Sequence, residues 1–249
     1  MSVHRTCGAL ATLLGLTSPA LAQDCRLALV LALDVSNSVD AGENRLQREG
    51  LAHALLSPEV VRAFLQGDPV ALFVFEWAST EYQVDVTPGW QKVRSAEDLG
   101  RVAAAVVDAR TRDDAHRHSL GATGLGTALH HAATALDAGP DCRARTIDVS
   151  GDGENNSGPG PEAVYESSLF EGVTVNALVI GGAFEAGSEP RAQERQLAAW
   201  FEAHVLRGPG AFWILADGYE DYERAMRIKL LRELQTPAVS GWPVSEPRG

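Results

Sequence analysis

The sequence predicts an α/β fold: a doubly wound, mostly parallel sheet with helices on both faces and one antiparallel edge strand. Three observations lead there. Apolar, β-branched runs recur at residues 27–33, 70–75, 146–149, 173–180 and 212–215, and their near-continuous hydrophobicity marks strands buried on both faces. Stretches of helical spacing alternate with these runs, the order of a parallel sheet with crossover helices. Tyr82, Val84 and Val86 alternate with polar residues soon after the second run, as a hairpin-linked edge strand would.

Residues 1–22 hold a single Arg, an apolar run from about Ala9 to Leu16 and the small-residue site Ala20-Leu21-Ala22, the pattern of a signal peptide. The run is well short of the roughly 20 residues a membrane span needs, so the mature chain is expected to be exported to the periplasm or beyond, without membrane insertion. One domain is expected over residues 24–235, because the roughly 227 residues left after cleavage suffice for one core and no linker divides them.

Along that domain, strand 27–33 runs into a turn and then a helix over 41–56, whose start is marked by Asp40 followed three residues later by Glu43, a capping-box spacing. Strand 70–75 and the edge strand come next, and then a helix over 96–109. A glycine-rich stretch, GATGLG at 121–126, opens a helix over 126–138. Strand 146–149 ends in GDG and is followed by a helix over 162–170, strand 173–180, a helix over 191–204, strand 212–215 and a helix over 219–234. Residues 236–249, with their Pro and Ser, are expected to be a disordered tail. Trp77, Trp90, Trp200 and Trp213 lie on or beside these elements and are expected in the core, with exposure the alternative for Trp90 beside Pro88-Gly89.

The formal charge of -12 becomes -13 once Arg5 leaves with residues 1–22, which argues against a nucleic-acid or anionic-membrane partner. Charged partners should be basic or bind through a cation.

Ligands of doubly wound sheets bind where strand ends meet helix starts, near the reversal of strand order. At the first such place stands DVSNSVD, residues 34–40. It has no glycine, so a dinucleotide pyrophosphate could not approach its backbone, and no GxxxxGK[ST] occurs in the chain. An EF-hand loop would need Gly at its sixth position and an acid at its twelfth, where Val39 and Arg45 stand. What remains is a hard cation held by oxygens. Asp34, Ser36, Ser38, Thr123 of the glycine-rich stretch and Asp152 of the GDG form an all-oxygen set from three loops.

DxSxS after the first strand, Thr in a TxxGxAL segment and Asp in a GDG after a later strand together resemble the metal-ion-dependent adhesion site of the von Willebrand factor A domain. The resemblance runs from Arg26 to about Leu234 and includes a bacterial exported subgroup of that family. It implies Ser36 and Ser38 as direct ligands, Thr123 as a direct ligand in one state of the site, and Asp34 and Asp152 acting largely through bound waters. The implied cofactor is a divalent cation, magnesium by its octahedral, water-keeping habit, with manganese or calcium able to substitute. The implied partner is a protein whose Asp or Glu completes the coordination. Glu154, Asn155 and Asn156 could line the rim, with no ligand role assigned.

The same picture predicts a disulfide. Cys25 lies nine residues before Asp34 and Cys142 ten before Asp152. If the two aspartates meet at one metal, as the A-domain sheet also implies, their strands are close neighbours. Both cysteines then fall at the opposite edge, within bridging distance.

Other chemistry finds less support. The HxH of His116 and His118 and the pair His130-His131 lack further convergent nitrogen or sulfur ligands for zinc. Ser150 is not in the GxSxG turn of a hydrolase, and Glu154 alone would have to serve a metal-assisted hydrolase. The expectation is therefore a non-enzymatic, metal-dependent binding domain. A scaffold of the same fold with a structural metal site and a metal-dependent hydrolase stand as alternatives.

Overall fold

The computed structural model describes residues 25–113, 121–182 and 190–235. The expected signal peptide, the tail from 236, Trp242 and the His116/His118 loop lie outside the described residues.

β1 (Cys25–Asp34), β2 (Val70–Trp77), β5 (Cys142–Gly151), β6 (Val173–Ile180) and β7 (Trp213–Ala216) are parallel and ordered β2-β1-β5-β6-β7. The antiparallel edge at β2 is made by β3 (Gln83–Asp85), as the alternating run predicts, and by a second short segment, β4 (Gln91–Val93), which the sequence reading did not foresee. β4 is three residues long, too short for a period to show.

The helices are α1 (Ala41–Leu56), α2 (Pro58–Phe64), α3 (Ala96–Asp113), α4 (Leu125–Asp137), α5 (Pro161–Val164), α6 (Pro190–His204) and α7 (Tyr222–Gln235). Asp40 and Glu43 form the expected capping box: the Asp40 carboxylate accepts from the amides of Gly42 and Glu43, and the Asp40 amide donates to Glu43. α2 was not expected; Pro58 at its first position ends α1 and opens a new helix, since its missing N–H is an orphan there anyway. The helix expected over 162–170 breaks into α5 and a 3-10 turn at Ser168–Phe170. There the Ser167 hydroxyl accepts from the Leu169 amide and competes with helix continuation.

Strand pleating sorts side chains to two cores. Ala28, Val30 and Ala32 of β1 face α4 and α6, where Ala128, Ala132 and Ala133 bring α4 close to the sheet. Leu27, Leu29, Leu31 and Leu33 face α1, α2, α3 and α7. This second layer also buries ions: Arg48 of α1 against Glu76 of β2, and Lys229 of α7 against Asp148 of β5 and Glu233. Of the tryptophans expected in the core, Trp77 is fully buried, while Trp90, Trp200 and Trp213 are only partly buried against it. Among the described residues no helix is long and apolar enough to cross a membrane.

β1 pairs with β5 in a register that sets Cys25 opposite Cys142, and the two are joined by a disulfide with Cα atoms 4.6 Å apart. The bridge spans 117 residues of sequence, and the chain-entropy account assigns such a loop about 4–5 kcal/mol. The Cys25→Ser/Cys142→Ser double variant is therefore expected to unfold in urea at a lower midpoint by about that stability. Unreduced protein should resist alkylation at both positions.

Candidate metal centre

β1 ends on Asp34, and the turn after it folds back on that side chain: the Ser36 amide donates to Asp34 Oδ1 at 2.8 Å. Gln47 Nε2 of α1 donates to the Asp34 carbonyl at 2.8 Å, fixing the helix to the strand end. The turn sets Ser36 Oγ 3.1 Å from Ser38 Oγ. β5, the neighbour of β1, runs out one residue before Asp152, whose Oδ1 accepts from Ser38 Oγ at 2.7 Å. Thr123, just before α4, lies with Oγ1 3.5 Å from Ser36 Oγ. All five side chains singled out in the sequence thus converge at the β1/β5 strand ends, where strand order reverses.

Thr123 is held from both sides. Its amide donates to Asn156 Oδ1 at 2.7 Å, and its carbonyl accepts from the amides of Asn156 and Ser157. Asn155 Oδ1 accepts from the Gly126 amide at 3.1 Å, tying the post-GDG loop to the first turn of α4. Two glycines make this approach possible. A Cβ on Gly126 would lie 2.1 Å from the Pro159 carbonyl oxygen, and one on Gly124 would lie 2.9 Å from backbone atoms of Ser79 and Thr80.

Asn155 and Asn156, expected at a rim, position Thr123 and α4. A residue outside the expected set also contributes: Tyr219 is buried before α7 and donates from its hydroxyl to Asp152 Oδ2 at 3.2 Å. A tyrosine between a strand and a helix carries no motif, so only the fold reveals it. Thr127, the next threonine after Thr123, sits inside α4, and Glu154 is exposed. Ser150 is buried and shares a 3.0 Å hydrogen bond with the Tyr222 hydroxyl, well away from solvent. Among the described residues no three His, Cys, Asp or Glu side chains gather as a metal cluster; the set here is two carboxylates and three hydroxyls.

The electrostatics favour a cation. Burial pushes the Asp34 carboxyl up to about 8, the Asp152 charge adds to this, and the hydrogen bonds from Ser36 oppose it. Asp152 is raised by burial against the hydrogen bonds of Ser38 and Tyr219. Burial and the nearby carboxylates of Asp152, Asp34 and Glu43 hold the Tyr219 hydroxyl above its ordinary value. Asp34 Oδ2 is buried with no hydrogen-bond partner, and an unpaired buried carboxylate oxygen is costly unless neutralised or bound to a cation. The donors are hard oxygens, so a divalent ion of the magnesium class fits them.

A sequence family described as "Protein of unknown function (DUF1194)" matches residues 24–238. The chain belongs to this family. The DUF1194 chain also has the fold of the von Willebrand factor A domain, as comparison with solved structures shows. A von Willebrand factor type A protein from Catenulispora acidiphila is 15% identical with a TM-score of 0.53, covering 84% of this chain and 43% of that one. Proximal thread matrix protein 1 from the mussel byssus, "with zinc occupied MIDAS motif", is 17% identical with a TM-score of 0.55, covering 85% of this chain and 48% of the other. The pilus adhesin SpaC from Lactobacillus rhamnosus GG is 13% identical with a TM-score of 0.53, covering 84% and 30%. At these identities the likeness is one of fold, and the DUF1194 chain spans less than half the length of each. No curated protein matches it in sequence.

The raised carboxyls make stability depend on pH. An acid whose folded pKa exceeds its unfolded value binds its proton more tightly in the fold, so it costs stability as pH rises between the two values. For Asp34 that window runs from the ordinary 3.8 to about 8. Metal-free protein is expected to lose stability across this range. Asp34→Asn should flatten the dependence of the urea midpoint on pH, and an unchanged slope would show that Asp34 titrates normally.

Proposed function

We propose that this is an exported, divalent-metal-dependent, adhesion-type protein-binding domain that takes up an acidic side chain of a protein partner at an ion held between the β1 and β5 strand ends. The observation that carries the reading is the convergence of Asp34, Ser36, Ser38, Thr123 and Asp152 at the β1/β5 strand ends, together with the buried, unpartnered Oδ2 of Asp34. Ser36 and Ser38 would hold the ion directly and Thr123 in one state of the site, with Asp34 and Asp152 orienting its waters. The ion, magnesium foremost with manganese or calcium as substitutes, would supply an electrophilic position for an incoming carboxylate.

The chain's own residues prepare that position. Ser38 and Tyr219 hold Asp152 by both oxygens, Gln47 and the Ser36 amide fix Asp34, and Asn156 sets the backbone of Thr123. Such supporting contacts orient the ligands of a metal site and tune its affinity. Among the described residues the site has no matched general acid and base: Glu154 is exposed, and Ser150 is buried against Tyr222. This supports binding over catalysis. The likeness to a pilus adhesin and a byssus matrix protein supports the adhesion class, and the signal-peptide pattern of residues 1–22 supports export.

Titration calorimetry of the metal-stripped domain with magnesium or manganese tests the site. Wild type is expected to bind, and the Ser36→Ala/Ser38→Ala double variant to lose binding altogether. Asn156→Ala should weaken binding, on the order of the 10–100-fold typical of supporting residues. Unchanged affinity in the double serine variant would remove these residues from the site.

Partner capture from envelope extract, run with and without EDTA, tests the function. Capture is expected to be lost with chelator and with Thr123→Ala. Capture that survives both would favour a scaffold acting through another face.

A further inference from the structure

On the sheet face opposite α4, a lysine and two carboxyls share a dry pocket. Lys229 of α7 is fully buried, and its Nζ lies 2.7 Å from Asp148 Oδ1 of β5 and 2.7 Å from Glu233 Oε1 one helical turn on. Asn176 of β6, paired with Asp148 in the sheet register, donates from Nδ2 to Glu233 Oε1 at 3.0 Å, and its Oδ1 accepts from the Phe212 amide. The Phe212 ring closes the pocket, its centroid 5.1 Å from Lys229 Nζ. Neither Asp148 oxygen engages a hydrogen bond of ordinary geometry, although the amine lies against one of them.

We propose that Lys229 and Asp148 condense to an intramolecular amide, an isopeptide bond between α7 and β5, with Glu233 carrying the proton. Lys229 Nζ gives a proton to the Glu233 carboxylate and attacks Cγ of the protonated Asp148 carboxyl. The new N–Cγ bond forms as the Cγ–O bond breaks, and the departing hydroxyl leaves as water. The ammonium, the neutral Asp148 carboxyl and the Glu233 carboxylate become the amide, one water and the neutral Glu233 carboxyl. Protons and charge balance, and nothing is oxidised or reduced.

Three features of the pocket favour the step. The amine and the carboxyl are held in contact by a strand and a helix, so the reaction is intramolecular with its entropy already spent. A second carboxyl touches the same nitrogen and serves as general base and then acid. Burial raises the Asp148 carboxyl to about 8, the Glu233 charge adding to it and Lys229 opposing, which keeps it in the electrophilic protonated form at neutral pH. In a water-excluding site the ion pair also carries a desolvation penalty that the neutral amide does not. An ordinary ion pair would need one carboxylate for this lysine; the second one and the aligned Asn176 suit proton transfer.

The test is a peptide map of the folded wild-type protein, denatured and reduced before trypsin. Without the bond, cleavage after Lys229 releases residues 228–229 and 230–232 separately, and residues 146–191 appear alone. The expected result is one branched species, residues 146–191 joined to residues 228–232, uncut at Lys229 and lighter by one water than the sum of the two. Fragmentation should place the link at Asp148. Free peptides at full mass overturn the proposal. Loss of ammonia in place of water overturns the assignment to Asp148 in favour of Asn176. Glu233→Gln is expected to leave the peptides unlinked while the Cys25–Cys142 disulfide still forms, and full linkage in that variant removes Glu233 from the reaction. The wild-type digest decides the bond itself whether or not the variant folds.

Discussion

The parallel pairing of β1 with β5 is the constraint from which the rest follows. Its register sets Cys25 against Cys142 at one end and Leu33 against Ser150 at the other. Asp34 and Asp152 are then carried past the last paired residues to the same point in space. A slip of one residue would turn one aspartate to the opposite face of the sheet, because side chains alternate along a strand. The disulfide closes the register at one end, and the Ser38–Asp152 hydrogen bond joins the two strand ends at the other.

The two faces of the sheet solve different problems. Toward α4 the layer is apolar, and small residues on both elements bring the helix close, so that Gly124 and Gly126 reach the backbone of neighbouring loops. That closeness places Thr123. Toward α1 and α7 the layer contains charges: Arg48 against Glu76, and Lys229 between Asp148 and Glu233. Buried ions contribute little net stability against an apolar replacement but cost several kcal/mol, roughly 3–5, when one partner is removed. The Arg48–Glu76 pair therefore holds α1 in place on the sheet more than it strengthens the core. That layer also reaches the site, through Gln47 of α1 and through Tyr219 of the turn before α7.

Much of this was legible in the sequence. Strands buried on both faces read as continuous apolar runs, and five runs became five parallel strands. The capping box announced the start of α1, and three short motifs named the five oxygen residues that the fold gathers. The disulfide followed from counting residues back from two aspartates. Less was readable where a signal is short or local: β4 is a three-residue strand, α2 hides behind a proline, and the stretch after the GDG holds a serine that breaks the helix.

The sequence by itself determined the α/β class, the order of the elements and the residue types at the rim, because burial on two faces and helical period are properties of the chain read in one dimension. Only the tertiary structure decided that Asn156 holds Thr123, that Tyr219 holds Asp152, and that Lys229, Asp148, Glu233 and Asn176 share one pocket. These contacts join residues 33, 67, 81 and 57 positions apart. No local pattern encodes them: a lysine within an amphipathic helix reads as solvated until the sheet against which it packs is known.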